Sequence, residues 1–127
     1  MRVLVIDDEE MIRDLAQKIL TKAGYNVLLA ESGQDGFRLY SENSHKIDLV
    51  LLDLIMEDVP GVETLQRIRK ISPDVPCIIS SGQAPTPGDI PDELNRNTYF
   101  LQKPYRAGQL TEMVKQIAVE VSGSQLT

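Results

Sequence analysis

Val3-Leu4-Val5-Ile6-Asp7-Asp8-Glu9 sets four apolar residues directly before three acids. The same pattern recurs along the chain. Leu49-Val50-Leu51-Leu52 ends on Asp53, Cys77-Ile78-Ile79 ends on Ser80-Ser81-Gly82, and Tyr99-Phe100-Leu101 leads through Gln102 to Lys103-Pro104. Short runs rich in Val, Ile and Leu, spaced by helical stretches, read as parallel strands buried on both faces. In open α/β sheets the functional crevice lies beyond the carboxyl ends of the strands. Asp7, Asp8, Asp53, Ser81 and Lys103 are therefore expected at one edge of the sheet. Acids, a hydroxyl and a lysine converging there suit a divalent cation beside a phosphoryl group.

Helical periodicity fills the gaps between the strands. Ile12, Leu15, Ala16, Ile19 and Leu20 recur at three- and four-residue spacing and predict one apolar stripe. Gly24 stands where a helix-ending glycine would. Val27-Leu28-Leu29-Ala30 predicts a second strand, and Ser32-Gly33-Gln34-Asp35 resembles a capping box with Asp in place of Glu. Asp58-Val59-Pro60-Gly61 reads as a turn before a helix carrying Val62, Leu65 and Ile68. The cations of that helix, Arg67, Arg69 and Lys70, read as an exposed face. The next crossover, Gln83 to Asn97, contains Pro85, Pro87, Gly88 and Pro91. Proline costs about 3 kcal/mol inside a helix, so any helix there must be short and start near Pro91. The last helix carries Leu110, Met113 or Val114, Ile117 and Val121, and residues 122–127 are expected to form a tail. Alternation of this kind predicts right-handed crossovers and a five-stranded, doubly wound (βα)5 sheet with an irregular or shortened fourth helix. A single domain over residues 1–121 fits the chain length of 127.

Bulk properties exclude several classes. A net charge of −6 argues against direct contact with nucleic acid or an anionic membrane. No apolar run approaches the roughly 20 residues that span a bilayer. One cysteine, Cys77, cannot build a disulfide framework and fits a cytoplasmic protein. The single histidine, His45, cannot support a multi-histidine metal site.

Across essentially its whole length the chain resembles the receiver domain of two-component response regulators, the flavodoxin-like fold of chemotaxis regulators. The resemblance rests on Val5-Ile6-Asp7-Asp8-Glu9, Leu52-Asp53-Leu54 with Gly61 eight residues on, Ser81-Gly82, and Leu101-Gln102-Lys103-Pro104-Tyr105. The Phe-Leu-Gln-Lys-Pro stretch also resembles receivers attached to hybrid histidine kinases. The resemblance implies that Asp53 accepts a phosphoryl group from a histidine kinase or histidine phosphotransfer protein. It implies a Mg²⁺ site made by Asp8 directly, Asp7 through water, Asp53, and the backbone carbonyl of Ile55. Lys103 and Ser81 would contact the phosphoryl oxygens, and Phe100 would occupy the position of the family's switch aromatic. A monomer or weak dimer signalling to an unknown downstream protein is the implied assembly, either standing alone or excised from a longer protein.

The chain departs from the family pattern at Glu57, where proline is frequent, with Pro60 three residues later, and in the proline-rich crossover. Two other classes compete. A Mg²⁺-dependent phosphatase with an aspartyl nucleophile would use an Asp-x-Asp pattern after the first strand, where this chain has Asp7-Asp8-Glu9. A phosphorylation-independent interaction module would not need the acid, hydroxyl and lysine set. The favoured reading is a phosphoacceptor module that is no dedicated enzyme, assisting only its own phosphorylation and dephosphorylation.

Overall fold

The computed structural model describes residues 1–82 and 90–126, with side chains to residue 120. The strands are β1 (Arg2–Ile6), β2 (Asn26–Ala30), β3 (Leu49–Asp53), β4 (Cys77–Ser81) and β5 (Thr98–Gln102). All pair in parallel in the order β2-β1-β3-β4-β5. The helices are α1 (Glu10–Lys22), α2 (Gly33–Asn43), α3 (Gly61–Ile71) and α4 (Ala107–Leu126).

Strand alternation sorts the core into two layers. Leu4, Ile6, Val50, Leu52, Cys77 and Ile79 pack with Tyr40 of α2 and Leu65 and Ile68 of α3. Val3, Val5, Leu49, Leu51 and Ile78 face the other way, onto Ala16, Ile19 and Leu20 of α1 and Leu110, Val114 and Ile117 of α4. Consecutive strand residues point to opposite faces, and both faces are covered, so every position in β3 and β4 is buried. This explains why these strands read as continuous apolar runs. The strand order reverses between β1 and β3, which opens a crevice at their carboxyl ends.

Local chemistry sets several boundaries. Helix α1 ends in a Schellman arrangement: Gly24 (φ 96°) donates to the Thr21 carbonyl and Tyr25 to the Leu20 carbonyl, each at 3.0 Å. The Ser32 hydroxyl accepts the Asp35 N–H at 3.0 Å and caps α2 as expected. Gly61 begins α3 against the end of β3. A Cβ there would stand 2.5 Å from the Leu54 carbonyl oxygen and 2.6 Å from that of Asp53, so only glycine permits this approach. The crossover after β4 contains a single 3₁₀ turn, Asp92–Leu94, among the described residues, starting after Pro91 as the proline spacing requires. The expectation for Gln83–Asn97 as a whole falls partly on residues 83–89, outside the described residues.

Two expectations need correction. Arg69 is buried, not part of an exposed face: its guanidinium donates to the carbonyls of Val75, Arg96 (2.7 Å) and Asn97 (3.2 Å) and to the Thr98 hydroxyl (3.1 Å). It fastens the end of α3 to the entries of β4 and β5 through loop carbonyls, a contact that no helical periodicity reveals. Leu15 is 41% exposed, because the stripe of α1 that meets the sheet is narrower than its apolar content. The last helix is described to Leu126 and takes in Ser122-Gly123-Ser124, residues whose helix cost of about 1 kcal/mol or less each leaves propagation possible.

Candidate functional site

The four strand ends deliver their polar residues to the same crevice. Asp7 and Asp8 follow β1, Asp53 ends β3, Ser81 ends β4, and Lys103 follows β5. Strand register does this work. Asp53 lies opposite Ser80, and Ser81 opposite Gln102, so the next residue of β5 is Lys103. The Lys103 N–H donates to the Ser81 carbonyl at 2.7 Å and extends the ladder by one step. The Lys103–Pro104 peptide bond is cis.

Lys103 is the hub. Its Nζ stands 2.7 Å from Asp7 Oδ2, 3.4 Å from Asp53 Oδ2 and 3.7 Å from Glu9 Oε1. Asp7 and Asp53 are almost fully buried. Burial opposes charge on the Lys103 ammonium, but the hydrogen bond and charge of Asp7, then the charges of Asp53 and Glu9, outweigh it and raise its pKa. Asp53 is pushed up to about 6, first by burial and then by the Asp7 charge, with Lys103 pulling the other way. Its Oδ1 also accepts the Ile55 N–H at 3.3 Å.

Each acid has distinct neighbours. Asp7 Oδ1 accepts the Glu9 N–H at 2.9 Å, so both of its oxygens are engaged by the protein. Its main-chain carbonyl accepts Arg13 Nη1 at 2.7 Å. Asp8 is half-buried and accepts the Glu57 N–H at 3.1 Å through Oδ2. Oxygen atoms of Asp7, Asp8, Glu9 and Asp53 lie within 4.8 Å of one another. A hard divalent cation takes oxygen ligands in this way, and the excess of acids over the single lysine provides the opposite charge. The donor set therefore fits Mg²⁺.

Other residues fall outside this cluster. The Ile55 side chain is 71% exposed, so its contribution is confined to backbone atoms. Phe100 is 37% exposed on β5, while Tyr99 packs inward and its hydroxyl donates to Glu120 Oε2 at 2.8 Å. His45 is exposed. Cys77 is fully buried, and burial pushes its thiol up to about 11, consistent with a small core hydrophobe. Sequence reading missed three participants. Glu9 joins the ion cluster, legible only as a third consecutive acid. Tyr105 lies buried with its hydroxyl lacking a hydrogen-bond partner among the described residues, and burial with the charges of Asp7 and Asp53 pushes it up to about 12. Asp58 binds the start of α2, a contact 25 residues distant in sequence.

No helix among the described residues is long and apolar enough to cross a membrane. The family profile of the response regulator receiver domain matches residues 3–115. The transcriptional regulatory protein YrkP of Bacillus subtilis is 36% identical over 109 residues, covering 86% of this chain and 46% of that protein. The transcriptional regulatory protein GlrR of Escherichia coli is 36% identical over 106 residues, covering 80% of this chain and 22% of that protein. The chain thus spans less than half the length of these curated relatives. The crystal structure of the receiver domain of the hybrid histidine kinase CckA superposes with a TM-score of 0.79 at 31% identity, covering 92% of this chain and 98% of that one. Profile, relatives and fold agree with the geometry of the crevice, and the chain belongs to the response regulator receiver domain family, the phosphoacceptor signalling modules of two-component systems.

Proposed function

We propose that Asp53 accepts a phosphoryl group from the phosphohistidine of a histidine kinase or phosphotransfer protein. The observation supporting this most directly is the Lys103 ammonium between Asp7 and Asp53, at 2.7 and 3.4 Å, beside the half-buried Asp8. An oxygen of Asp53 attacks phosphorus, the P–N bond breaks, and the donor imidazole leaves with the bonding pair. Lys103 has a stem long enough to follow the transferred oxygens and exchange its carboxylate partners for them. Ser81, buried at the end of β4, offers a hydroxyl to a second oxygen. Phe100, on the same strand as the residues leading to Lys103, is the proposed switch aromatic.

Asp8, Asp7, Asp53 and the Ile55 carbonyl are the proposed holders of Mg²⁺. Asp8 has the more accessible carboxylate, which suits a direct ligand. Asp7 already serves Lys103 and the Glu9 N–H, which suits contact through water. When bound, the ion supplies positive charge against the phosphoryl oxygens. The protein's own part is to hold the acceptor, exclude water from Asp53 and supply the lysine counter-charge. We take the domain as residues 1–121, with 122–127 a C-terminal tail. It works in the cytoplasm as a monomer or weak dimer, with a downstream protein as the reader and no catalysis beyond its own phosphorylation and dephosphorylation.

Incubation with Mg²⁺ and a small phosphodonor, followed by intact-mass measurement, tests the assignment. A single phosphoryl adduct on the wild type, lost in Asp53→Asn, is expected. An adduct retained in Asp53→Asn would remove Asp53 as acceptor.

A further inference from the structure

The loop after β3 carries two backbone N–H groups that address the acidic cluster. Ile55 donates to Asp53 Oδ1 at 3.3 Å, and Glu57 donates to Asp8 Oδ2 at 3.1 Å. One residue further, the Asp58 carboxylate turns the other way. Its Oδ1 accepts the Gly33 N–H and its Oδ2 the Gln34 N–H, each at 3.0 Å, across the start of α2. Burial works against its charge, but the N–H donors of Gln34, Gly33 and Val59 together outweigh it and hold the carboxyl below its ordinary value. The same junction is tight in its packing. A Cβ on Gly33 would stand 2.7 Å from Thr64 Oγ1 and 3.0 Å from Val59 Cβ, so the loop and the start of α2 approach as closely as a glycine allows.

The loop is thus held at both ends. Gly61 donates to the Leu54 carbonyl at 2.9 Å, closing its base, and Asp58 ties its tip to α2. Between these points sits Glu57, a residue that leaves φ free where a proline would restrict it. The freedom is removed from outside by the two Asp58 bonds next door.

We propose that Asp58 is a positioning residue for the cation site: its bidentate hold on Gly33 and Gln34 fixes the loop so that the Glu57 N–H aims Asp8 and the Ile55 N–H aims Asp53. The inference rests on the reading of Asp8 and Asp53 as cation ligands. Hydrogen-bonded partners of ligating carboxylates commonly govern affinity by factors of about 10–100. Asp58 acts through backbone donors and touches neither the cation nor the phosphoryl group.

The test titrates Mg²⁺ alone against the thermal midpoint of the wild type, Asp58→Ala, Asp58→Asn and Ser32→Ala. Ser32→Ala also removes a cap from α2 but leaves the loop tied, so it separates helix stability from cation affinity. Asp58→Ala is expected to raise the half-saturating Mg²⁺ concentration about tenfold. Asp58→Asn, retaining one acceptor, should recover part of that loss. Ser32→Ala should lower the midpoint without moving the half-saturation. An unchanged half-saturation in Asp58→Ala, or an equal weakening in Ser32→Ala, overturns the proposal. A wild type indifferent to Mg²⁺ instead overturns the site reading beneath it.

Discussion

Asp53 is held in a surrounding that disfavours its charge. Burial and Asp7 raise its pKa from 3.8 to about 6, and Lys103 offsets only part of this. Between those two values the folded chain keeps a proton that the unfolded chain has released. Its contribution to stability therefore falls as pH rises through that window. A neutral isostere escapes the penalty. Asp53→Asn is expected to exceed the wild type by about 1 kcal/mol at neutral pH without Mg²⁺, allowing for solvent screening at the mouth of the site. The gap should close near pH 4, where the wild-type carboxyl is protonated. Urea unfolding of both proteins at acid and neutral pH measures it, and a gap independent of pH would assign the difference to packing. Such tension fits an acceptor: the resting carboxylate gains little from its own fold, which leaves it available to a cation and a phosphoryl group.

Elements are joined by contacts that sequence periodicity does not reveal. Arg69 stands at the end of α3, and its guanidinium gathers carbonyls from the approaches to β4 and β5. Arg96 and Asn97, two of those acceptors, precede β5, and Asn97 adopts a left-handed φ of 54°. Arg69→Met would preserve the aliphatic stem but take one donor from each of these acceptors, a loss of roughly 2–4 kcal/mol. Amide exchange should quicken in residues 94–98 more than in β1. Wild-type stability in Arg69→Met would mean that burying the charge costs as much as its bonds return. Because β5 leads to Lys103, this clamp also bears on the site from the opposite end of the sheet.

At the scale of the whole molecule, the acidic crevice links folding to cation binding. Four acids face one lysine across the ends of three strands, an excess of negative charge present only when the sheet is assembled. A ligand that binds the folded chain alone stabilises it, by about 2.7 kcal/mol at a hundredfold excess over Kd. Stabilisation of that size should raise the thermal midpoint by roughly 10 °C for a chain of this length. Asp8→Ala should lose most of that increment. An Asp8→Ala protein gaining as much as wild type would remove Asp8 from the ligands. Phosphorylation is expected to change hydrogen exchange most in the crossover from Gln83 to Asn97, and equal exchange with and without beryllium fluoride there would reject it.

Strand and helix succession, and the sheet edge at which Asp7, Asp8, Asp53, Ser81 and Lys103 gather, were legible in the sequence. Each depends on short-range pattern: apolar runs, turn residues and a polar residue at the end of a run. Tertiary structure alone decided the rest. It brought Lys103 to Asp7 across 96 positions, buried Arg69 against loop carbonyls, and set Asp58 on the start of α2. It also left Leu15 outside the apolar face that its spacing suggested. Such contacts join residues far apart in the chain, and a polar side chain has the same local pattern whether it meets water or a distant backbone. Only packing supplies the partner, and with it the pKa, the clamp and the fit to a cation.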